Sequence, residues 1–145
     1  MTSATKKFEL AIVGGGPNCL YVIERLAVML QQKKYALNID IHIFEKTGLF
    51  GAGNIHRPDQ PKSSLLNRII GQIAFAPDES YAQAQGLLPK ELRPTMHEWA
   101  QQKYQKTGDE SYNFSPADWP PRALFGEALI EHFNKYTKLL ESITG

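Results

Sequence analysis

The sequence predicts an α/β fold that opens with a parallel βαβ unit and continues into a mainly helical C-terminal half. Three observations carry that prediction. Phe8 to Val13 is a short apolar run that ends on Gly14-Gly15-Gly16, as a buried strand does where it turns tightly into a helix. Leu20, Ile23, Leu26, Ala27 and Leu30 then recur at helical spacing. Ile39, Ile41 and Ile43 alternate with Asp40, His42 and Phe44, which is the period of a strand.

Taken in order, the elements describe an anion-binding turn. Glycine at 14 permits a turn that a Cβ would obstruct, and glycine at 16 lets the main chain approach a ligand closely. The helix that follows would direct unpaired N–H groups and the positive end of its dipole at that ligand. Lys33-Lys34 close the helix where cations suit the dipole, and Tyr35 to Asn38 turn the chain into the second strand. This is a Rossmann-like start, in which Gly14, Gly15, Gly16, Pro17 and Asn18 would hold the pyrophosphate of a dinucleotide. The residue before the first glycine is Val13, whereas methyltransferases, which also carry a glycine-rich first loop, usually have an acid there. Glu45 ends the second strand, 29 residues after Gly16, against roughly 20 in the usual motif; the longer helix and the Tyr35–Asn38 turn account for the excess. A carboxylate at that place accepts hydrogen bonds from the adenosine ribose and repels a 2′-phosphate, which argues against NADP. Lys46 offsets part of the repulsion. The competing role for Glu45 is a solvated strand end.

Residues 47–94 read as loop-rich. Ile69 to Phe75 is the best remaining apolar run, but Gly71 weakens either a strand or a helix there. Pro77 to Pro94 is loop with one helical turn at Tyr81 to Gln85. Residues 95–145 read as helical. Thr95-Met-His-Glu98 forms a capping box opening a helix that runs past Tyr104 and stops at Gly108. Ser115-Pro116-Ala117-Asp118 reads as another helix start. A final helix from about Pro121 to Ser142 carries Phe125, Leu129, Phe133, Tyr136 and Leu140 on one face, a core-packing pattern. The whole, residues 1–145, is expected to be one dinucleotide-binding domain, with residues 8–46 as its nucleotide motif.

Four blocks resemble one family. IVGGGPNCLYVIERL, IFEKTGLFGAGNIH, SLLNRI and PPRALFGEALIEHF occur in this order over residues 8 to about 133. Together they resemble the N-terminal part of FAD/NAD(P)-binding oxidoreductases, specifically a bacterial FAD-NAD(P)-binding family. Cys19, where a small third residue is usual, and Asn18 before it depart from the pattern. The resemblance implies an FAD-binding domain, here incomplete, in which the loop bearing Gly51 and Gly53 folds against the cofactor and Asn67 stands near it. NAD is the alternative cofactor. An ordinary flexible turn and a local turn former are the competing roles for that loop and for Asn67. Arg122 is expected to pair with Asp118, with a phosphate as the other candidate. Trp99, Trp119 and Phe114 read as core anchors, with shielding of a flavin as the alternative.

Composition sets the remaining bounds. A chain of 145 residues fits one domain with a sizeable core. The net charge of +1 suggests neither nucleic acid nor an anionic membrane surface. Residues 1–7 show no apolar signal region, no apolar run reaches a membrane span, and the single cysteine fits a cytoplasmic protein. No pair among His42, His56, His97 and His132 has metal-ligand spacing, and no catalytic cluster can be assembled locally. Cys19 reads as a packing residue, a lowered thiol pKa at the helix N-terminus being the alternative. No strand pattern follows Ile43, so the chain is expected to be either a fragment or a short subunit that a partner completes at the open sheet edge. Two functions follow. One is FAD binding within a flavin-dependent oxidoreductase or monooxygenase, where the cofactor carries the chemistry. The other is a non-catalytic dinucleotide-binding or assembly module completed by a partner chain.

Overall fold

The computed structural model describes residues 7–32 and 38–144. Strand β1, Phe8–Val13, leads into helix α1, Pro17–Gln31, and strand β2, Ile39–Phe44, returns parallel to β1. The register pairs Phe8 with Ile39 and Val13 with Phe44. This is the predicted βαβ unit. The Lys33-Lys34 helix closure, residues 35–37 of the turn, and residues 1–6 of the amino-terminal segment lie outside the described residues.

After β2 the chain runs through loops and short 3-10 turns at Ile70–Gln72 and Lys90–Leu92. Helix α2 spans Met96–Thr107, and a third 3-10 turn, Glu110–Tyr112, precedes helix α3, Arg122–Thr144. The Thr95 capping box forms as predicted: the Thr95 side chain accepts the Glu98 N–H while the Glu98 carboxylate accepts the Thr95 N–H. Gly108 stops α2 with φ +69°.

The core lies where α1, α2 and α3 meet. Leu20, Ile23 and Ala27 of α1 are buried with Leu129, Phe133, Tyr136 and Leu140 of α3, and with Met96 and Trp99 of α2. Ile12, Ile41 and Ile43 lay one face of the two-stranded sheet against this core, while Val13 is 87% exposed and Phe44 is exposed too. The apolar run at 69–75 is neither strand nor long helix. Its 3-10 turn delivers Ile70, Ile73 and Phe75 into the core, and Ala74 bridges to Thr95. Trp99 and half-buried Phe114 join the core as expected, but Trp119 is 52% exposed and anchors nothing there.

Two expected helical pieces are replaced by turns. At Ser115–Asp118 the Asp118 carboxylate accepts the Ser115 N–H at 2.7 Å, and the carbonyls of Pro116 and Asp118 accept the N–H groups of Gly71 and Ile70 at 3.0 and 2.8 Å. Carbonyls committed to a distant strap cannot serve a helix ladder. Tyr81 to Gln85 is a pair of turns closed by Tyr81 N–H to Asp78 and Ala84 N–H to Tyr81.

Candidate functional site

The glycine turn is locked on three sides. The Gly14 N–H donates to the Phe44 carbonyl at 2.8 Å, and Gly14 takes φ +98°. The Gly15 N–H donates to Glu45 Oε2 at 2.8 Å, and the Gly15 carbonyl accepts the Gly51 N–H at 2.6 Å. Gly16 is the N-cap of α1, in extended backbone with no side-chain cap, and Pro17 follows at the first helical position. Its carbonyl accepts the Cys19 and Leu20 N–H groups. The N–H groups of Gly16 and Asn18 have no partner among the described residues. A helix start left open in this way is an anion site by its partial charges.

Glu45 sits where β2 ends. Besides the Gly15 N–H, its carboxylate accepts the Thr47 N–H at 2.9 Å and the Thr47 hydroxyl at 2.7 Å. The two Thr47 bonds, followed by the Gly15 N–H, hold the Glu45 carboxyl below the ordinary range, so it stays ionised. A carboxylate has about four acceptor directions, and three are used here.

The second glycine loop closes over the first. Gly53 packs so tightly on Gly16 that a Cβ on Gly53 would stand 3.3 Å from the Gly16 Cα. Gly51 takes φ +89°, and a Cβ there would meet the Leu129 carbonyl oxygen of α3 at 2.5 Å. Only glycine fits that place, for conformation and for space. The two loops and the end of β2 enclose a groove of about 830 Å³, lined by Gly14, Gly16, Pro17, Asn18, Glu45, Lys46 and Gly53, with Cys19 and His56 at its wall. Gly15 and Gly51 do not line it; their hydrogen bond joins the two loops behind it.

Asn67 stands elsewhere. It lines a separate cavity of about 410 Å³ with Arg68, Gln72 and Arg122, and its side-chain oxygen accepts Arg122 Nη2 at 3.3 Å. The expected Arg122–Asp118 pair does not form, because the Asp118 carboxylate is turned to the Ser115 N–H. Cys19 is buried, and burial with the nearby Glu45 charge pushes its thiol up, which removes the reactive-thiol alternative.

Three contributors, Thr47, Gly126 and Arg68, escaped the sequence reading. Thr47 buttresses Glu45 from two residues away, a side-chain-to-neighbour bond that such spacing permits. Gly126 lies inside α3 directly under the His56 carbonyl, so a Cβ at 126 would overlap that oxygen. Its only sequence signal was a glycine within a helical pattern, which usually marks close packing. His56 itself sets its ring edge-on to Phe125, at 4.9 Å between centroids, and leaves a buried Nδ1 without a partner. Burial and the Arg122 charge keep that imidazole below its ordinary pKa. Arg68 had no signal at all. Among the described residues, no group of three His, Cys, Asp or Glu side chains could hold a metal ion, and no helix is long and apolar enough to cross a membrane.

Residues 11–144 match the profile of a family described as FAD-NAD(P)-binding. The chain is also similar to the L-aspartate N-monooxygenase (nitrosuccinate-forming) of Streptomyces davaonensis, at 29% identity over 140 residues. The enzyme of the same description from Streptomyces cremeus is 27% identical over 145 residues. These alignments cover 90% and 91% of this chain but 21% of each relative, so the chain spans about a fifth of their length. A family match that begins in β1 and runs to the end of α3, across a glycine turn joined to an acidic strand end, means that this chain belongs to the FAD-NAD(P)-binding family.

Proposed function

We propose that this chain binds FAD and is the cofactor-anchoring part of a flavin-dependent oxidoreductase of the monooxygenase kind. The observation that carries the reading is a single groove lined by two complementary sets of groups. One is the unpartnered N–H groups of Gly16 and Asn18 at the start of α1; the other is the ionised Glu45 carboxylate. A dinucleotide has the matching polarity, with a pyrophosphate for the amides and ribose hydroxyls for the carboxylate.

The residues present fit FAD. Gly14, Gly16, Pro17 and Asn18 would cradle the pyrophosphate, with Gly15 and Gly51 bracing the two loops from behind through their hydrogen bond. Glu45 would accept from the ribose, Lys46 would flank it, and Gly53 would form the opposite wall. When bound, the flavin supplies the redox chemistry, and the chain's own residues bind and orient it. Residues 8–46 are in this reading the adenylate anchor, 47–94 the loops against the cofactor, and 95–145 the helices behind them. The monooxygenase assignment is supported by the two relatives described as L-aspartate N-monooxygenases. NAD is the second reading for the same groove, since Glu45 suits any unphosphorylated ribose. In either case the remainder of an active site comes from outside these residues, a further region of the same polypeptide or a partner chain.

Titration of FAD into the purified chain, followed by flavin fluorescence and absorbance near about 450 nm, tests the proposal. Saturable binding with a rise in thermal stability is expected, about 2.7 kcal/mol at 100 times the dissociation constant. NAD should bind more weakly and NADP least. A chain that is folded by circular dichroism yet takes up no FAD overturns the reading.

A further inference from the structure

A second cavity, separate from the glycine groove, carries a chemistry of its own. Its polar lining is Arg68, Arg122, Asn67, Gln72 and Tyr21, whose hydroxyl donates to the Ala74 carbonyl at 3.1 Å, and its floor is apolar, with buried Leu66 and Ile73 beside Phe125. It shares no residue with the glycine groove. No aspartate or glutamate lines it, whereas the glycine groove holds Glu45 against Lys46, and a third cavity holds Glu110 and Glu127 against Lys62.

The arginines themselves supply a second, independent observation. The sequence contains five. Arg25 pairs with Glu24, Arg57 with Asp59 and Arg93 with Glu79. Arg68 and Arg122 form no ion pair among the described residues, and these are the two that line the cavity. The Arg122 guanidinium donates to the neutral side-chain oxygen of Asn67, at a long 3.3 Å, which leaves most of its five donors to find other partners. Arg122 is also the first residue of α3, so the positive end of that helix adds to the local potential.

We propose that this cavity binds a small carboxylic acid, with Arg68 and Arg122 taking its carboxylate groups and the apolar floor receiving its short carbon chain. A planar guanidinium fork matches a carboxylate in two parallel hydrogen bonds. The Asn67 and Gln72 side chains supply neutral donors and acceptors for a further polar substituent of the ligand. A volume of about 410 Å³ suits a molecule of metabolite size. The inference rests on the reading of the chain as part of an oxidoreductase only in calling this acid a substrate; the anion site stands on the arginines alone.

The test is titration of the full chain with succinate, with L-aspartate and with inorganic phosphate, followed by backbone NMR shifts, with FAD affinity measured in parallel. Saturable shifts around Asn67, Gln72 and the start of α3 are expected with the two carboxylic acids. The exposed-site variant Arg68→Gln should weaken succinate binding tenfold or more and leave FAD affinity unchanged, and Arg122→Gln should do the same to succinate. No saturable shift, shifts that both variants retain, or tighter binding of phosphate than of succinate would each overturn the carboxylate assignment. Carboxylate binding by a chain that fails to bind FAD would leave this site standing and overturn the proposed cofactor role instead.

Discussion

The Glu45 carboxylate accepts three hydrogen bonds from its own chain, two of them from Thr47 and one from the Gly15 N–H. It therefore holds the glycine turn in place as well as facing the groove. Replacing it by glutamine keeps the size and removes the charge. Glu45→Gln should weaken FAD binding tenfold or more, as expected for loss of a charge-assisted hydrogen bond, in the titration described above. Gly16 gives a sharper test of the groove. It takes φ −77°, open to any residue, and a Cβ on it would approach only the Gly53 Cα, at an ordinary 3.9 Å. The fold does not require glycine here, but a pyrophosphate against the backbone does. Gly16→Ala should keep the thermal midpoint and circular dichroism of the parent while losing most FAD affinity. Unchanged affinity would refute the phosphate-loop assignment. The residue types at 14–18 and at 45 were legible because backbone freedom and charge are written in the residue itself. Thr47, Arg68 and Gly126 were not, because each acts through a neighbour that only folding supplies.

The helices show where local signals suffice. The capping box at Thr95–Glu98 and the glycine stop at 108 involve groups within a few residues of one another, so sequence spacing defines them. The proline-led turn at Ser115 carries equally good local signals and yet forms no helix, since the 69–72 strap takes its carbonyls. Long-range hydrogen bonds override propensity there. The contact of α3 with the loop after β2 is decided in the same way. A glycine-to-alanine change inside a helix ordinarily gains up to about 1 kcal/mol. At Gly126 the new methyl would overlap the His56 carbonyl, and overpacking of that kind costs roughly 1–3 kcal/mol. Gly126→Ala should therefore lower the urea midpoint despite the better helix former, and should weaken FAD binding by displacing the loop that carries Gly53. A raised midpoint would show that the loop yields easily.

At the scale of the molecule, three polar side chains are buried among the described residues: Glu24 and Arg93, each in an ion pair, and His132, which has none. His132 is fully buried, stacked on Phe75 at 4.0 Å between centroids, with Nδ1 bonded to the Ala128 carbonyl at 2.8 Å and Nε2 without a partner. Desolvation lowers its pKa to about 4, so the ring is neutral in the folded chain. The unfolded chain binds the proton more readily, near the ordinary value of about 6.5. The stability this neutral ring permits is present above about pH 6.5 and is lost as pH falls toward 4. At pH 5 the expected loss is about 2 kcal/mol relative to pH 7. His56, also depressed, acts in the same direction, so the measurement is the difference between the parent chain and His132→Leu in urea denaturation at the two pH values. An equal acid loss in both would exclude His132 as the cause. By itself the sequence determined the βαβ start, the glycine turn with its acidic partner, and the capped helices, since each depends on periodicity, backbone freedom or charge over a short span. Only the tertiary structure decided that Asn67 and Arg122 line a second cavity apart from the glycine groove and that the 69–75 run is a core strap. It alone decided, too, that Gly51 and Gly126 fasten the second glycine loop to α3. Those outcomes turn on which backbone groups and surfaces meet across tens of residues, and packing in three dimensions settles that.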